Sequence, residues 1–301
     1  MGVAASPNAV WFGPGPDGRI ARKALNRLDS VVDMTDAPEF PKETATLTQG
    51  ATMPLLGFGT WQIKGDDAVR ATGSALEAGY RHLDTATVYR NEGEVGRGLA
   101  ESGVPRDDVF VTTKCPPSNA GRGLETLRAS LDLLRTDHVD LWLIHWPGDG
   151  SANVDLWREL VEARESGLAR EIGVSNFDAA LLDEVTEATG VRPAVNQIEW
   201  SPLLYDATTV AEHRERDIVL EGYSALRGGS LDHPAIKAVA DRLGRTTAQV
   251  IIRWHLQHGF VVIPKSVHPE RIRSNADVAT FELTEDDMAT LDALGASTPA
   301  E

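Results

Sequence analysis

One pattern constrains this 301-residue chain most: beyond residue 45, short apolar runs rich in β-forming residues alternate with longer amphipathic stretches. The runs predict eight strands, at Leu55–Thr60, Tyr80–Asp84, Val109–Thr113, Val139–Ile144, Glu171–Val174, Ala194–Ile198, Ile218–Tyr223 and Val261–Ile263. The stretches between and after them predict helices near 66–78, 91–102, 119–134, 153–166, 178–189, 206–216, 246–258 and 268–276. This alternation over about 250 residues predicts an α/β fold, a single (β/α)8 TIM barrel. A doubly wound open sheet is the alternative.

Two additions to the eightfold repeat are predicted. Thr46–Thr48 and Thr52–Met53 flank Gln49-Gly50, which favours a β-hairpin placed to plug the bottom of the barrel. Residues 233–243 and 284–294 predict two extra helices.

The helix starts carry their own signals. Thr284 precedes Asp287 at the spacing of a capping box, with Asp in the place of the usual Glu or Gln. Residues of the kind that cap helix N-termini also stand near four other predicted starts, at Asp66, Asn119, Asn153 and Asp178.

The first 45 residues differ from the rest, and we expect two regions, an N-terminal extension at 1–45 and the barrel at 46–301. Residues 20–32 carry apolar side chains at the spacing of one short amphipathic helix. The glycine pattern at 13–18 matches the dinucleotide-binding fingerprint, but two prolines interrupt it and no strand precedes it, so we reject that interpretation. Met34 is an alternative start of translation.

Composition excludes several classes of partner. The chain has 29 Lys and Arg against 45 Asp and Glu, a formal net charge of −16, which argues against nucleic-acid binding and against anionic membrane surfaces. No apolar run approaches the roughly 18 residues of a membrane span. The single cysteine, Cys115, has no intramolecular partner, so we expect a cytoplasmic protein.

Polar residues follow most of the predicted strands, where a TIM barrel carries its active site. They stand at Asp84–Tyr89, Thr112–Lys114, His145–Pro147, Ser175–Phe177, Gln197 and Glu199, Tyr223–Ser224, and Pro264–Ser266.

Four of these residues suit acid catalysis at a carbonyl. The phenol of Tyr89 is a poor acid at neutral pH, but the Lys114 ammonium stabilises a phenolate and lowers its pKa. Asp84 would hold that ammonium, and His145 would orient a carbonyl oxygen, so the group could protonate a developing alkoxide. Each residue alone is more commonly structural: a cap, a packing ring, a solvated strand end or a core histidine. Their coincidence at one rim favours the catalytic interpretation.

Seven short strings occur in order at the predicted strand ends. They are Gly57-Phe-Gly-Thr-Trp61, Asp84-Thr-Ala-x-x-Tyr89, Thr113-Lys114, Ile144-His-Trp-Pro147, Gly173-Val-Ser-Asn-Phe177, Asn196-Gln-Ile-Glu199, and Ile263-Pro-Lys-Ser266 followed by Arg271-Ile and Asn275. On these strings residues 46–296 resemble the aldo-keto reductases, (β/α)8 barrels that reduce carbonyls with NADPH. The short loop at Gly148–Asn153 and the short tail resemble the bacterial reductases of small aldehydes and diketo sugar acids.

The resemblance implies a role for each matching residue. Tyr89 would be the proton donor, tuned by Lys114 and Asp84, with His145 orienting the carbonyl between the aromatic walls Trp61 and Trp146. The cofactor-binding residues it implies are Gly59, Thr60, Ser175, Asn176, Gln197, Tyr223, Ser224, Leu226, Lys265, Ser266, Arg271 and Asn275. Within this set Lys265, Ser266 and Arg271 would grip the 2′-phosphate of NADPH. No metal ligand is implied.

Two departures from the family pattern qualify these expectations. Ser274 stands where a glutamate usually precedes the adenine-binding asparagine, so NADH stays open as a cofactor beside NADPH. Cys115 and the two following prolines replace a common Leu-Trp pair; beside a lysine that cysteine is either reactive or a small buried apolar residue.

The resemblance thus implies an NADPH-dependent reductase of small aldehydes and ketones, expected to be a monomer. An NADPH-binding regulatory subunit with little catalysis is the alternative. A metal-dependent barrel hydrolase is disfavoured, because no His-x-x-x-His pair occurs.

Overall fold

The computed structural model describes residues 39–227 and 229–297. The predicted helix at 20–32, the glycine pattern at 13–18 and Met34 lie outside the described residues. The predicted division at residue 45 therefore concerns mostly residues of which nothing is described. Within that predicted extension, Glu43 accepts a hydrogen bond from Arg253 at 2.8 Å, and the ring of Phe40 packs edge-on against Tyr80.

Eight parallel strands form one sheet in sequence order. They are β3 Phe58–Gly59, β4 His82–Asp84, β5 Phe110–Cys115, β6 Val139–Ile144, β7 Ala169–Ser175, β8 Val195–Glu199, β9 Val219–Tyr223 and β10 Val261–Val262. A parallel bridge between Leu56 and Val262 joins the first strand to the last, and Val262 N donates to Leu55 O at 2.8 Å. The sheet closes on itself, which confirms the predicted barrel over the open sheet.

Ten α-helices occur in the part of the chain that the structure describes. They are α1 Gly65–Glu77, α2 Glu92–Ser102, α3 Gly123–Leu134, α4 Ala152–Glu165, α5 Ala179–Thr189, α6 Ala207–Glu215, α7 Pro234–Leu243, α8 Thr247–His258, α9 Pro269–Ala276 and α10 Glu285–Asp292. Seven of them, α1 to α6 and α9, each follow a barrel strand, and α8 connects β9 to β10 after α7; α7 and α10 are the two predicted additions. None of these helices has the length and apolar character needed to cross a bilayer.

The strands are apolar runs because both of their faces are covered. Every residue of β6 is buried, including Trp142, since one face meets the barrel interior and the other meets the helices. Every residue of β5 is buried as well, although Thr112, Thr113 and Lys114 are polar. Such side chains need buried partners: Thr112 contacts His82, Thr113 donates to Glu92, and Lys114 donates to Asp84 in the site described below.

The predicted hairpin is present, formed by β1 Thr44–Thr46 and β2 Thr52–Pro54. Its turn carries two donors to one buried carboxylate: the hydroxyl of Thr48 and the backbone N–H of Gln49 donate to Glu171 at 2.8 and 2.7 Å. Glu171 lies near the start of β7, so the hairpin covers the N-terminal end of the barrel, as expected for a plug.

Two of the five predicted cap residues are confirmed. Asp178 accepts from the N–H of Leu181, and Thr284 forms a reciprocal capping box with Asp287. The other three predictions are wrong because the helices begin elsewhere and tertiary partners engage the side chains. Asp66 and Asn153 lie inside their helices, and Asn119 ends a separate 3-10 turn.

Candidate active site

A cavity of about 990 Å³ opens at the C-terminal ends of the barrel strands. The structure places sixteen of the predicted site residues around it: Gly59, Trp61, Asp84, Tyr89, His145, Trp146, Ser175, Asn176, Gln197, Tyr223, Ser224, Leu226, Lys265, Ser266, Arg271 and Asn275. Two predicted residues, Thr60 and Lys114, are buried behind its wall. Thr60 donates its hydroxyl to the Asp84 carbonyl at 2.9 Å and so supports the wall.

Asp84 and Lys114 form a fully buried ion pair at the ends of β4 and β5. The Lys114 ammonium lies 2.6 and 2.7 Å from the two carboxylate oxygens and donates a third hydrogen bond to the Thr85 carbonyl at 2.8 Å. Burial is the largest single effect on the pKa of Lys114 and lowers it, but the charge and hydrogen bonds of Asp84 together with the nearby Tyr89 and Glu221 outweigh burial, and the pKa is raised overall. Lys114 is therefore a fixed positive charge beneath the cavity.

Tyr89 stands above this charge, at the end of a 3-10 turn over Thr87–Tyr89. The Lys114 ammonium lies 5.1 Å from the centre of its ring, and Lys64 donates to its backbone carbonyl. Burial raises the pKa of Tyr89, and the charge of Lys114 opposes this shift without reversing it. The sequence-based expectation of a lowered pKa is thus right about the effect of the lysine and wrong about the net direction, because desolvation is the larger effect.

His145 directly follows β6 and lines the same cavity. Its ring centre lies 5.5 Å from that of Tyr89, in an edge-to-face arrangement. Burial lowers the pKa of His145 to about 3, and the positive charge of Lys114 acts in the same direction. Its Nδ1 atom is buried and has no hydrogen-bond partner among the described residues. A neutral imidazole in this position can hydrogen-bond a substrate oxygen without adding a charge.

A group of amides and hydroxyls forms the next part of the wall. Gln197 donates to Asp84 Oδ2 at 2.9 Å, which ties β8 to the buried ion pair. Asn176 donates to the Ser175 hydroxyl at 3.0 Å and accepts from the Tyr223 hydroxyl at 2.9 Å. Asn176 has a φ of 61°, a left-handed conformation that is uncommon for a residue other than glycine and is found at functional sites.

The far end of the cavity is cationic. Lys265 and Arg271 line it beside Ser266, close to the first turn of α9. Neither cation has a carboxylate within ion-pair distance in the described part of the chain, although the protein has 45 Asp and Glu residues. Two unpaired cations, a hydroxyl and a helix N-terminus form a set of groups that suits a phosphate ester.

Exposed apolar side chains form another part of the cavity lining. Seven large hydrophobic residues are exposed among the described residues, and four of them line this cavity: Trp61, Val88, Trp146 and Leu231. Exposure of that kind is concentrated at binding sites, so this part of the lining suits a small organic substrate.

Sequence reasoning missed part of the wall. Arg227 and Leu231 belong to the loop after β9, and Thr246–Ala248 to the start of α8. The Arg227 guanidinium lies 5.0 Å from the centre of the Trp61 ring, so this loop reaches across the mouth. Ser224, a predicted cofactor-binding residue, directly follows β9 and marks where that loop begins, but nothing in the sequence of the loop shows which wall it contacts.

No group of three or more His, Cys, Asp or Glu side chains in residues 39–227 and 229–297 is arranged to hold a metal ion.

Comparisons with known proteins agree with this geometry. The sequence profile of the Aldo/keto reductase family matches residues 55–296. An aldo-keto reductase from Mycolicibacterium vanbaalenii is 50% identical over 269 residues, which cover 88% of this chain and 96% of the relative. The crystal structure of an aldo/keto reductase from Brucella melitensis is 41% identical, covers 85% of this chain and all of that chain, and superposes with a TM-score of 0.81.

A more distant structure, the aldose reductase from Schistosoma japonicum, is 31% identical, covers 83% of this chain and 91% of its own, and has a TM-score of 0.79. The matches span the whole barrel and both ends of the cavity. On these findings the chain belongs to the aldo/keto reductase family.

Proposed function

We propose that the protein is an NADPH-dependent reductase of small aldehydes and ketones, in which Tyr89 donates the proton. The family supports carbonyl reduction in general. One observation supports the finer proposal. Tyr89 lines the cavity at the ends of the strands, and the buried ion pair of Lys114 with Asp84 lies directly behind its ring.

The bound cofactor would supply a hydride to the carbonyl carbon, which leaves negative charge on the carbonyl oxygen. The residues of this chain have to hold that oxygen and protonate it. The neutral His145 would orient the oxygen toward Tyr89, and the Tyr89 hydroxyl would give up its proton to it. The fixed charge of Lys114 would then stabilise the phenolate that remains, and Asp84 keeps Lys114 charged and in place.

The residues present fit the cofactor. The cationic end with Lys265, Ser266 and Arg271 suits the 2′-phosphate that distinguishes NADPH from NADH. Tyr223, half-buried and fixed through its hydroxyl to Asn176, lines the same cavity as Tyr89 and offers it an aromatic ring. The carboxamide of a nicotinamide would meet the amide and hydroxyl groups of Ser175, Asn176 and Gln197. Ser274 lines the cavity beside Asn275 and offers a hydroxyl where the family pattern has a carboxylate.

Substitution of Tyr89 by phenylalanine tests the proposal. Tyr89→Phe should bind NADPH within about twofold of the wild type but lose about 100-fold or more in turnover, the usual contribution of a general acid. Tyr205→Phe is the matched control, because its ring packs on His258 away from the cavity. The measurements are NADPH binding by protein fluorescence and NADPH oxidation with a panel of aldehydes, dicarbonyls and keto sugars.

Retained turnover in Tyr89→Phe would remove Tyr89 as the donor. Tight NADPH binding by the wild type without turnover of any carbonyl would instead favour the regulatory alternative.

The cofactor preference has its own test. Lys265→Met and Arg271→Met should each weaken NADPH binding by about tenfold or more and NADH binding much less, since each removes a charge-assisted bond to the phosphate. Arg273→Met is the control, because it removes an exposed cation from α9, the helix that also contains Arg271. Equal losses for both nucleotides would contradict a 2′-phosphate site.

A further inference from the structure

The turn that carries Tyr89 is short and lies outside the sheet. After β4 ends, the chain leaves the barrel wall and forms the 3-10 turn over Thr87–Tyr89. Two backbone hydrogen bonds hold this turn together, from Tyr89 N to the Ala86 carbonyl at 3.0 Å and from Arg90 N to the Thr87 carbonyl at 3.2 Å. Both bonds are local to the turn, so they give it its shape but do not fix its position relative to the barrel.

The hydroxyl of Thr87 fixes the turn to β5. Thr87 Oγ1 donates to the Lys114 carbonyl at 2.8 Å. The last aligned pair of β4 and β5 is Asp84 with Thr112, and the Thr112 carbonyl accepts from Thr85 N at 2.9 Å. Carbonyls two residues apart in a strand point to the same side, so the Lys114 carbonyl faces the place where β4 has already ended. The Thr87 hydroxyl therefore takes the place of the next hydrogen bond of the sheet.

This bond joins the proposed proton donor to the charge that serves it. Thr87 lies two residues before Tyr89, and its acceptor belongs to the residue whose ammonium lies 5.1 Å from the centre of the Tyr89 ring. The stabilisation of a phenolate by this ammonium falls as the two groups separate. The Thr87 hydroxyl thus helps to set the distance on which proton donation depends.

Packing on the outer side of the turn cannot replace this bond. A second, open cavity of about 320 Å³ lies between α2 and α3, and Thr87, Glu92 and Ser130 are among the residues that line it. The side chain of Val88, the central residue of the turn, is exposed. Because empty space lies beside Thr87, close packing does not oppose an outward movement of the turn.

The hydroxyls around Thr87 leave its proton free for Lys114. Ser130 Oγ lies 3.4 Å from Thr87 Oγ1 and donates to the buried carboxylate of Glu92 at 3.1 Å. Thr113 donates to the other oxygen of Glu92 at 2.5 Å. A hydroxyl has only one proton to donate, and that of Ser130 is engaged by Glu92. The arrangement therefore directs the proton of Thr87 to the Lys114 carbonyl.

Resting on the function proposed above, we propose that Thr87 is a positioning residue whose hydroxyl holds the turn of Tyr89 at the distance from Lys114 that proton donation needs. Without this bond the turn still forms, since its backbone bonds are local, but it moves toward the second cavity. The effect falls on the proton transfer and not on cofactor binding, because Thr87 does not line the larger cavity.

Thr87→Val and Thr87→Ser form the informative pair, because the first removes the hydroxyl and the second keeps it. Single-turnover NADPH oxidation at saturating carbonyl should slow by about tenfold or more in Thr87→Val, since a displacement of about 1 Å can cost about 100-fold. NADPH binding should stay within about twofold, and Thr87→Ser should keep at least about half of the wild-type rate. Thr186→Val is the matched control, because it removes the hydroxyl of another half-buried threonine, which donates to the Leu182 carbonyl on α5 at 2.7 Å.

The same substitution in a Tyr89→Phe background separates positioning from a general loss of structure. If Thr87 acts through the Tyr89 hydroxyl, Thr87→Val should slow Tyr89→Phe by less than about twofold, because the group that it positions is already absent. Slowing by the same factor in both backgrounds would overturn the proposal. So would a Thr87→Val protein as fast as the wild type, or a Thr87→Ser protein as slow as Thr87→Val.

A readout independent of turnover distinguishes this proposal from the proposed function. The chain has four tyrosines, so ring-13C-tyrosine labelling gives a small set of signals in which Tyr89 is identified by its loss in Tyr89→Phe. The Tyr89 signal should shift in Thr87→Val and keep nearly its wild-type position in Thr87→Ser. An unchanged signal in Thr87→Val contradicts the positioning role whatever the activity. The expected shift, in a protein whose wild type turns over no carbonyl, contradicts the reductase assignment and leaves the positioning of Tyr89 intact.

Discussion

The ammonium of Lys114 lies 2.6 Å from one carboxylate oxygen of Asp84, and the two side chains are 0% and 2% exposed. Both groups have lost their hydration, so the pair depends on its geometry to offset that cost. The third bond of Lys114, to the Thr85 carbonyl, gives each proton of the ammonium an acceptor. The pair is therefore both a structural element of the barrel and the main electrostatic element of the site.

Removal of one partner should reveal both roles. In Lys114→Met the Asp84 charge is left buried without its counter-ion, and the free energy of unfolding should fall by about 3–5 kcal/mol. Turnover should fall by about 100-fold or more, because the phenolate of Tyr89 loses its stabilising charge. Urea unfolding followed by circular dichroism, together with the NADPH oxidation assay, measures the two effects.

The control is Arg158→Met, which breaks an exposed pair with Asp155 and should cost less than about 1 kcal/mol. Adding Asp84→Asn to Lys114→Met should restore part of the stability and none of the activity, since no charge is then left unpaired. A Lys114→Met protein as stable as the wild type would contradict the description of the pair.

The sequence predicted the barrel because its strands are buried on both faces. Val139–Ile144 is apolar at every position except Asp140 and has turn residues on either side, and the observed strand has the same bounds. The first strand was predicted at Leu55–Thr60, but regular pairing is confined to Phe58–Gly59. The difference arises at the seam of the barrel, where the first strand meets the last and Leu56 makes only a single bridge to Val262. This closure depends on residues far apart in the chain, so no local sequence pattern shows it.

The site was predictable where its residues directly follow a strand. Asp84 and His145 project from strand ends, whose position the fold fixes, so their meeting at one mouth follows from the topology. Arg227 and Leu231 were missed because they lie on a loop whose path depends on tertiary contacts. The net pKa shift of Tyr89 was also out of reach, since its sign depends on burial, and a sequence shows only which charges are candidates for neighbours.

The imidazole of His145 should stay neutral across the physiological range. Its pKa, lowered to about 3, predicts that the 15N or 13C signals of the ring do not shift between about pH 5 and pH 8. In the unfolded chain His145 binds a proton below about pH 6.5, whereas in the folded chain it does so only near pH 3. The folded state is therefore fully favoured above about pH 6.5. As the pH falls from there toward 3, the free energy of unfolding decreases by at most about 1.4 kcal/mol per pH unit.

His145→Gln should accordingly make the free energy of unfolding less dependent on pH between about pH 4 and pH 6. A His145 signal that titrates near the usual value of histidine is incompatible with a desolvated neutral ring.

Cys115 should be unreactive in the folded protein. It is completely buried, and burial raises the pKa of its thiol to about 12, so the charge of the neighbouring Lys114 does not make it a thiolate. Iodoacetamide at about pH 8 should label none of the folded protein and one thiol per chain after unfolding in guanidinium, as measured by mass spectrometry. Ser118→Cys in a Cys115→Ala background gives an exposed thiol three residues away as the positive control. Rapid labelling of the folded wild type would favour the reactive interpretation.

The closure of the barrel depends on a glycine at its seam. A Cβ atom on Gly59 would lie 2.7 Å from the backbone oxygen of Ile263, and Gly59 N also donates to the Pro264 carbonyl at 3.2 Å. Backbone cannot rotate away as a flexible side chain would, so Gly59→Ala must separate the first and last strands and should cost about 1–3 kcal/mol of unfolding free energy.

Gly73→Ala is the matched control, because it lies in α1 with no atom within 4 Å of the new methyl group. It should stabilise the protein by up to about 1 kcal/mol through helix propensity. Urea unfolding of both variants measures the contrast, and equal effects would show that the seam tolerates a side chain at Gly59.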